Sequence, residues 1–288
     1  MSPTPAASAR EIVVGVDGSD CALGAVRWAA HEAVRRNAPL RILHAADYLG
    51  HPDEAGTPSP ELPRARRITA KAFTVARHTE HDVSATTEIV PGDAAAALLE
   101  AGAAAQLIVL GSSTTGAADE MVLAPVVLRV GARSPQPVVV VPRLRGRTGT
   151  ARPVVAVLGV GSPEDDEPVA VFAADAARAA RVPLLQLRIG AAGRGGTEEP
   201  DDAAAWARRL PDVEIRGTEL PGASASHVLT AACPSPLVVL SAGQGSMLHR
   251  SLDGQHRWLL RHCTSPMALV PPAHRADVEE REEIVATG

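Results

Sequence analysis

Three proline-marked phrases recur in the same order in the two halves of this sequence, and that recurrence constrains the fold more than any other feature. RNAPLRIL around Pro39 returns as ARVPLLQL around Pro183, 144 residues later. EIVPGDAA around Pro91 returns as TELPGASA around Pro221, 130 residues on. SPQPVVVVP around Pro137 returns as CTSPMALVPP around Pro266, after 129 residues. Ordered landmarks of this kind mark a duplicated structural unit. The offset shrinks between the first and second landmarks, so the second copy has lost length there, in a loop and the helix that follows it.

Within the first copy, short β-branched runs alternate with stretches of helical period. EIVVGV (Glu11 to Val16), PLRILHA (Leu40 to Ala45), TTEIV (Thr86 to Val90), QLIVLG (Gln106 to Gly111) and PVVVV (Pro137 to Val141) read as strands. The stretch after Asp20 places Leu23, Val26, Ala30, Ala33 and Val34 on one helical face and ends near Asn37 and Pro39. Further helices are expected over about Leu62 to His81, after a capping Asp93, and over about Val122 to Val130. In the second copy PVVAVL (Pro153 to Leu158) restarts the pattern, with a helix from Pro168 to Ala180. Strands that are apolar along their whole length, separated by helices, specify a parallel sheet covered on both faces. The expected domains are 11–142 and 153–272, joined by a basic linker at 143–152 and followed by a charged tail at 273–288.

Composition agrees with this layout. Apolar residues are 45% of the 288 and aromatics only 2%, so the cores must be built from Val, Leu, Ile and Ala. Trp28, Trp206 and Trp258 are expected as isolated core or interface anchors. A net charge of -5 argues against a nucleic-acid binder with a broad basic surface. MSPTPAASAR lacks the apolar stretch of a signal peptide, and no run approaches the ~18 apolar residues of a membrane span. The expectation is a cytoplasmic protein with no membrane association. Cys21, Cys233 and Cys263 are odd in number and widely spaced, and read as small buried hydrophobes rather than a disulfide framework or a metal site.

In an open parallel sheet, ligands sit beyond the carboxyl ends of the strands, where the strand order reverses. The segments to search are therefore GVDGS (Gly15 to Ser19) and LGSSTTGAADEMVLAPVV (Leu110 to Val127). The succession VVGVDGS, LHA, VLGS and SPQPVVVVP resembles the universal stress protein family, over both copies from about Glu11 to Pro272. The resemblance implies two tandem Rossmann-like domains of the adenine nucleotide alpha hydrolase-like type. Each would be a five-stranded, mostly parallel sheet with helices on both faces. It also implies that the domains pair through their last strands, here Val138 to Val141 and Met267 to Val270, within one chain as a pseudo-dimer. A homodimer is a further arrangement left open.

Family members that bind ATP resemble one another in a pattern after the fourth strand: Gly, two residues, Gly, nine residues, then Gly-Ser or Gly-Thr. Glycines let backbone N–H groups approach phosphate and form an anion nest. Carried over by position, Asp17 matches the acidic residue that faces the adenosine part, and Gly15 lines the same turn. Ala45 matches the small residue beside adenine, Leu110 opens the loop, and Gly111 matches the first glycine with Ser112 behind it. The second glycine falls on Thr114 and the third on Ala124, so both are missing. The hydroxyl position falls on Pro125, which has neither a hydroxyl nor an N–H, and Val126 fits the next position. Losing one hydrogen bond to a charged group costs ~1.5–3 kcal/mol, or roughly ten- to a hundredfold in affinity.

The second copy departs further, with Leu158 or Val160 standing where Asp17 stood and Gly243, Gly245 and Gly254 off the pattern. Three functions stay open on this reading. The first is a non-catalytic stress-response protein with at most one weakened ATP site in the first copy. The second is an interaction or scaffold protein that binds no nucleotide. The third is an enzyme with slow ATPase activity.

Overall fold

The computed structural model describes residues 10–46, 61–112, 125–143, 152–159, 163–189, 202–220, 222, 224–242, 252 and 254–272. Its first half runs β1 (Ile12–Gly15), α1 (Asp20–Arg35), β2 (Leu40–Ala46), α2 (Glu61–Thr79), β3 (Ala85–Pro91), α3 (Ala94–Ala103), β4 (Leu107–Ser112), α4 (Pro125–Arg133), β5 (Val138–Pro142). The second half repeats the order with β6 (Val154–Leu158), α5 (Pro163–Ala180), β7 (Leu184–Arg188), α6 (Asp202–Arg209) and β8 (Ile215–Glu219). It ends with α7 (Ala225–Ala232), β9 (Val238–Ser241), α8 (Gly254–His262) and β10 (Met267–Val270). Among the described residues no helix is long and apolar enough to cross a membrane.

The ten strands form one sheet in the order β3-β2-β1-β4-β5-β10-β9-β6-β7-β8. Within each half every pair is parallel, as the all-apolar strands require. The halves join through β5 and β10, the only antiparallel pair among the described residues, in the register Met267↔Val140, Ala268↔Val139, Leu269↔Val138. The expected pairing of last strands is thus made inside one chain. The core on each face of the sheet is continuous across this seam. One face holds Val14, Val109, Val139, Ala268 and Ala156 under α1, α2 and α5, with Ala173 of α5 packed among them. The other holds Val13, Ile108, Val140, Leu269 and Val157 under α3, α4, α7 and α8. The Arg36 guanidinium at the end of α1 also lies 5.3 Å from the Phe172 ring centroid on α5, a cation–π contact between the halves.

Local chemistry explains the helix ends. Ser19 caps α1 by accepting the Ala22 N–H at 3.1 Å, and buried Glu32 near its other end takes both Arg35 and Arg36. Asp93 caps α3 by accepting the Ala96 N–H at 2.9 Å. Helix α4 is described from Pro125, and the expected start near Val122 lies outside the described residues. Helix α5 begins at Pro163 and carries Pro168 inside it, where the sequence reading started the helix. The turns before Pro168 are held by a side chain of their own, Asp166, described below. Where α2 has 19 residues, the described α6 has 8, which accounts for most of the shortened offset between the copies. Trp28 and Trp206 pack against one core face and Trp258 against the other, as anchors should.

Candidate functional site

The strand order reverses between β1 and β4. From β1 the chain winds outward through β2 to β3, then returns to β4 on the other side and continues to β5. In an open parallel sheet this switch point, at the carboxyl edge between β1 and β4, is where ligands bind. Gly15, Ala45, Leu110, Gly111 and Ser112 all stand at the last positions of β1, β2 and β4, and Asp17 lies just beyond β1. Val126, partly buried, belongs to the first turn of α4. Thr114 and Ala124 lie outside the described residues.

The turn after β1 is built by four hydrogen bonds. Val16 N–H donates to the Leu43 carbonyl at 2.9 Å. The buried His44 ring donates from Nδ1 to the Val16 carbonyl at 2.7 Å. Asp17, itself exposed, accepts the Ser19 N–H on Oδ1 at 2.9 Å, and Ser19 in turn caps α1. Gly18 takes φ +89 in this turn, a conformation that favours glycine. His44 was not singled out by its residue type, yet it fastens the end of β2 to the loop that carries Asp17. The signal in the sequence that would find it is a histidine at the carboxyl end of a strand, next to a residue matched to the ligand.

Gly111 answers a packing need before any ligand is considered. A Cβ there would sit 2.5 Å from the carbonyl carbon and oxygen of Cys21 and 2.7 Å from the Ala22 nitrogen. Only glycine lets β4 lie this close to the first turn of α1, and the contact sets the amino end of α1 beside the end of β4. One residue on, Ser112 is 3% exposed and its Oγ has no hydrogen-bond partner among the described residues. An orphaned buried hydroxyl costs ~1–3 kcal/mol, so its presence at this edge calls for an explanation. Arg129 of α4 pairs with Asp93 at 2.8 Å, tying α4 to the cap of α3. Arg129 and the Ala96 N–H hold the Asp93 carboxyl below its ordinary value. Burial pushes the Cys21 thiol up, with Asp17 and Asp20 adding to it and Arg143 acting against it.

The second half closes the equivalent turn with its own side chain. Ile12 N–H donates to the Pro39 carbonyl and Val154 N–H to the Pro183 carbonyl, so β1 and β6 begin in the same register. Counting on from there, the place of Asp17 falls to Gly159, not to Leu158 or Val160. Gly159 has φ +77, and a Cβ on it would lie 2.5 Å from the Ile189 carbonyl oxygen. Its N–H donates to Asp166 Oδ1 of α5 at 2.9 Å, and Asp166 Oδ2 accepts from Arg188 at 3.2 Å. Burial raises the Asp166 carboxyl above its ordinary value, against the pull of the Gly159 N–H and Arg188. Where the first half offers an exposed carboxylate, the second half has a half-buried carboxylate committed to its own backbone. Gly243 and Gly245 lie outside the described residues, and Gly254 opens α8.

Residues 9–142 match the model of the universal stress protein family. A universal stress protein of Thermus aquaticus is 33% identical over 138 residues, covering 46% of this chain and 98% of that relative. This chain belongs to the universal stress protein family. Longer members resemble it across both halves. A universal stress protein of Mycobacterium tuberculosis is 27% identical over 242 residues, covering 80% of this chain and 85% of the relative. The crystal structure of a universal stress protein from Archaeoglobus fulgidus superposes with a TM-score of 0.72 at 13% identity, covering 92% of this chain and 97% of that one. That likeness shows the shared fold.

Proposed function

We propose that this universal stress protein is a non-catalytic stress-response protein that takes one adenine nucleotide, ATP, weakly in its first half. The second half is its structural partner. The domains on this reading are 11–142 and 153–272, with 143–152 as linker and 273–288 as tail.

The observation that carries the reading is the Ser112 hydroxyl, buried with no partner among the described residues at the end of β4, next in the chain to the Gly111 contact with α1. A ligand oxygen at the switch point satisfies it, and the amino end of α1 adds a partial positive charge there. Asp17 stands exposed just beyond β1, in reach of ribose hydroxyls on this reading, with Gly15 and Ala45 at the strand ends behind it. Leu110 and Val126 supply apolar wall, and Thr114, outside the described residues, would add a hydroxyl donor. The phosphate side is weaker. Pro125 heads α4 without an N–H to give, which sets affinity roughly ten- to a hundredfold below a complete glycine pattern.

That same proline favours the second reading, a scaffold protein that binds no nucleotide. Two measurements separate them. Chromatography of the supernatant from denatured protein tests for carried nucleotide, and thermal shift at millimolar ATP tests for weak binding. Nucleotide in the supernatant or a raised midpoint, abolished in Asp17→Ala, supports the first reading. Absence of both leaves the scaffold reading. Phosphate release above a matched blank would instead make the protein a slow ATPase.

A further inference from the structure

Cys233 and Cys263, 30 residues apart in sequence, bring their sulfurs to 3.1 Å. Cys233 caps the end of α7 on the way into β9, and Cys263 follows α8 on the way into β10. Both carry free thiols. We propose that this pair is a redox-active dithiol that closes to a disulfide when a hydroperoxide oxidises Cys233.

The two sulfurs have different surroundings. Cys233 is partly exposed, whereas Cys263 is 6% exposed in the core face beneath α7 and α8. Around the Cys233 sulfur converge the S–H of Cys263, the hydroxyl of Ser265 and the backbone N–H groups of Thr264 and Ser265. Ser265 Oγ accepts the Ser235 N–H at 2.8 Å, which leaves its own proton free to donate to Cys233. Donors gathered around a sulfur favour its thiolate. The Cys263 hydrogen bond, ahead of the others and against burial, draws the Cys233 thiol down to about 6. Cys263 is pushed well up by that same hydrogen bond and by burial. Its S–H also has the Ser265 carbonyl within 3.4 Å. Nucleophile and resolving thiol are thus distinguished by position as well as by charge.

The chemistry balances with the peroxide as the only added reagent. The Cys233 thiolate attacks one peroxide oxygen, the O–O bond breaks, and the second oxygen leaves with a proton as water or alcohol. Cys233 is then a sulfenic acid. The Cys263 sulfur attacks the Cys233 sulfur, the S–O bond breaks, and hydroxide departs with the Cys263 proton as water. Two thiols and one hydroperoxide become one disulfide, one water and one water or alcohol, a two-electron oxidation. A dithiol reductant reverses it by exchange. A disulfide is ~2.05 Å long, so closure requires about an ångström of approach. The bond would staple the turns that enter β9 and β10. Since β10 is the strand that pairs with β5, the staple fastens the strand at the seam between the halves.

The test uses the reduced full-length protein. It is exposed to a small excess of hydrogen peroxide, its remaining thiols are alkylated, and its non-reduced peptides are read by mass spectrometry. The expected result is a Cys233–Cys263 cross-linked peptide, with Cys21 alkylated, and reversal by dithiothreitol. In Cys263→Ser, a 1,3-dicarbonyl reagent should trap the Cys233 sulfenic acid. The thermal midpoint of the oxidised parent should rise by roughly 5 °C. Thiols that stay free in excess peroxide would overturn the proposal. So would Cys233 running on to sulfinic acid beside a reduced Cys263, or cross-links formed only through Cys21 or between chains.

Discussion

Gly111 on β4 lies directly on the backbone of Cys21 in α1: a methyl group at residue 111 would stand 2.5 Å from the Cys21 carbonyl. Backbone in the first turn of a capped helix cannot rotate away as a side chain can. Gly111→Ala should therefore cost about 3 kcal/mol, the upper end for overpacking. Gly24, inside α1 with no atom within 4 Å of its would-be Cβ, is the opposite case. Gly24→Ala should stabilise by ~0.5–1 kcal/mol through helix propensity. Urea midpoints of the two variants check the contrast. Equal effects would mean that β4 and α1 are not in contact.

His44 holds the turn after β1 through one buried donor. His44→Phe keeps ring volume and removes that donor from the Val16 carbonyl. Loss of about 1–3 kcal/mol is expected in chemical denaturation. If the switch point takes a nucleotide, the same variant should lower the thermal shift given by ATP, because Asp17 is one residue beyond the released carbonyl.

Asp93 meets Arg129 with its carboxyl held below the ordinary value. A depressed acid contributes stability above its unfolded value and loses it as pH falls through the folded value. Asp93→Asn keeps an oxygen to cap α3 but removes the charge. Its thermal midpoint should be slightly lower than the parent's at pH 7. The difference should close as pH falls past the carboxylate range. The pair is exposed, so about 1 M salt should also shrink the difference.

Cys233 should be the fastest thiol to alkylate at neutral pH. Its rate should titrate with a midpoint near about 6, against ~8.5 for an ordinary cysteine. The groups that act on it are Cys263, the Ser265 hydroxyl and the Thr264 and Ser265 N–H groups. Ser265→Ala removes one donor and should move the midpoint up. The same sign rule applies to folding: this thiolate's contribution is complete above the unfolded value and is lost as pH falls through about 6. Iodoacetamide rates followed by peptide mass spectrometry across that range decide it.

Much of this architecture was legible in the chain. Uniformly apolar runs such as Val138 to Val141 read directly as buried parallel strands, since burial on both faces leaves no polar alternation. The proline phrases carried the duplication, and the residues at 124 and 125 depart from the glycine pattern in the chain itself. Asp17, Gly111 and Ser112 were proposed from position in that pattern, whereas the packing reason that Gly111 must be glycine was not legible there. Period and propensity are local properties, and these features live within one or two elements.

What only the tertiary structure decided are contacts between atoms distant in sequence. The antiparallel register of Ala268 on Val139, the closure of Gly159 by Asp166 and the Ser112 hydroxyl with no partner among the described residues all follow from how helices settle on the sheet. The cysteines show the difference most clearly. Spacing alone made Cys233 and Cys263 two unrelated small hydrophobes. Parallel strands β9 and β10 lie side by side, so the turns that feed them are neighbours, and the two thiols come together there.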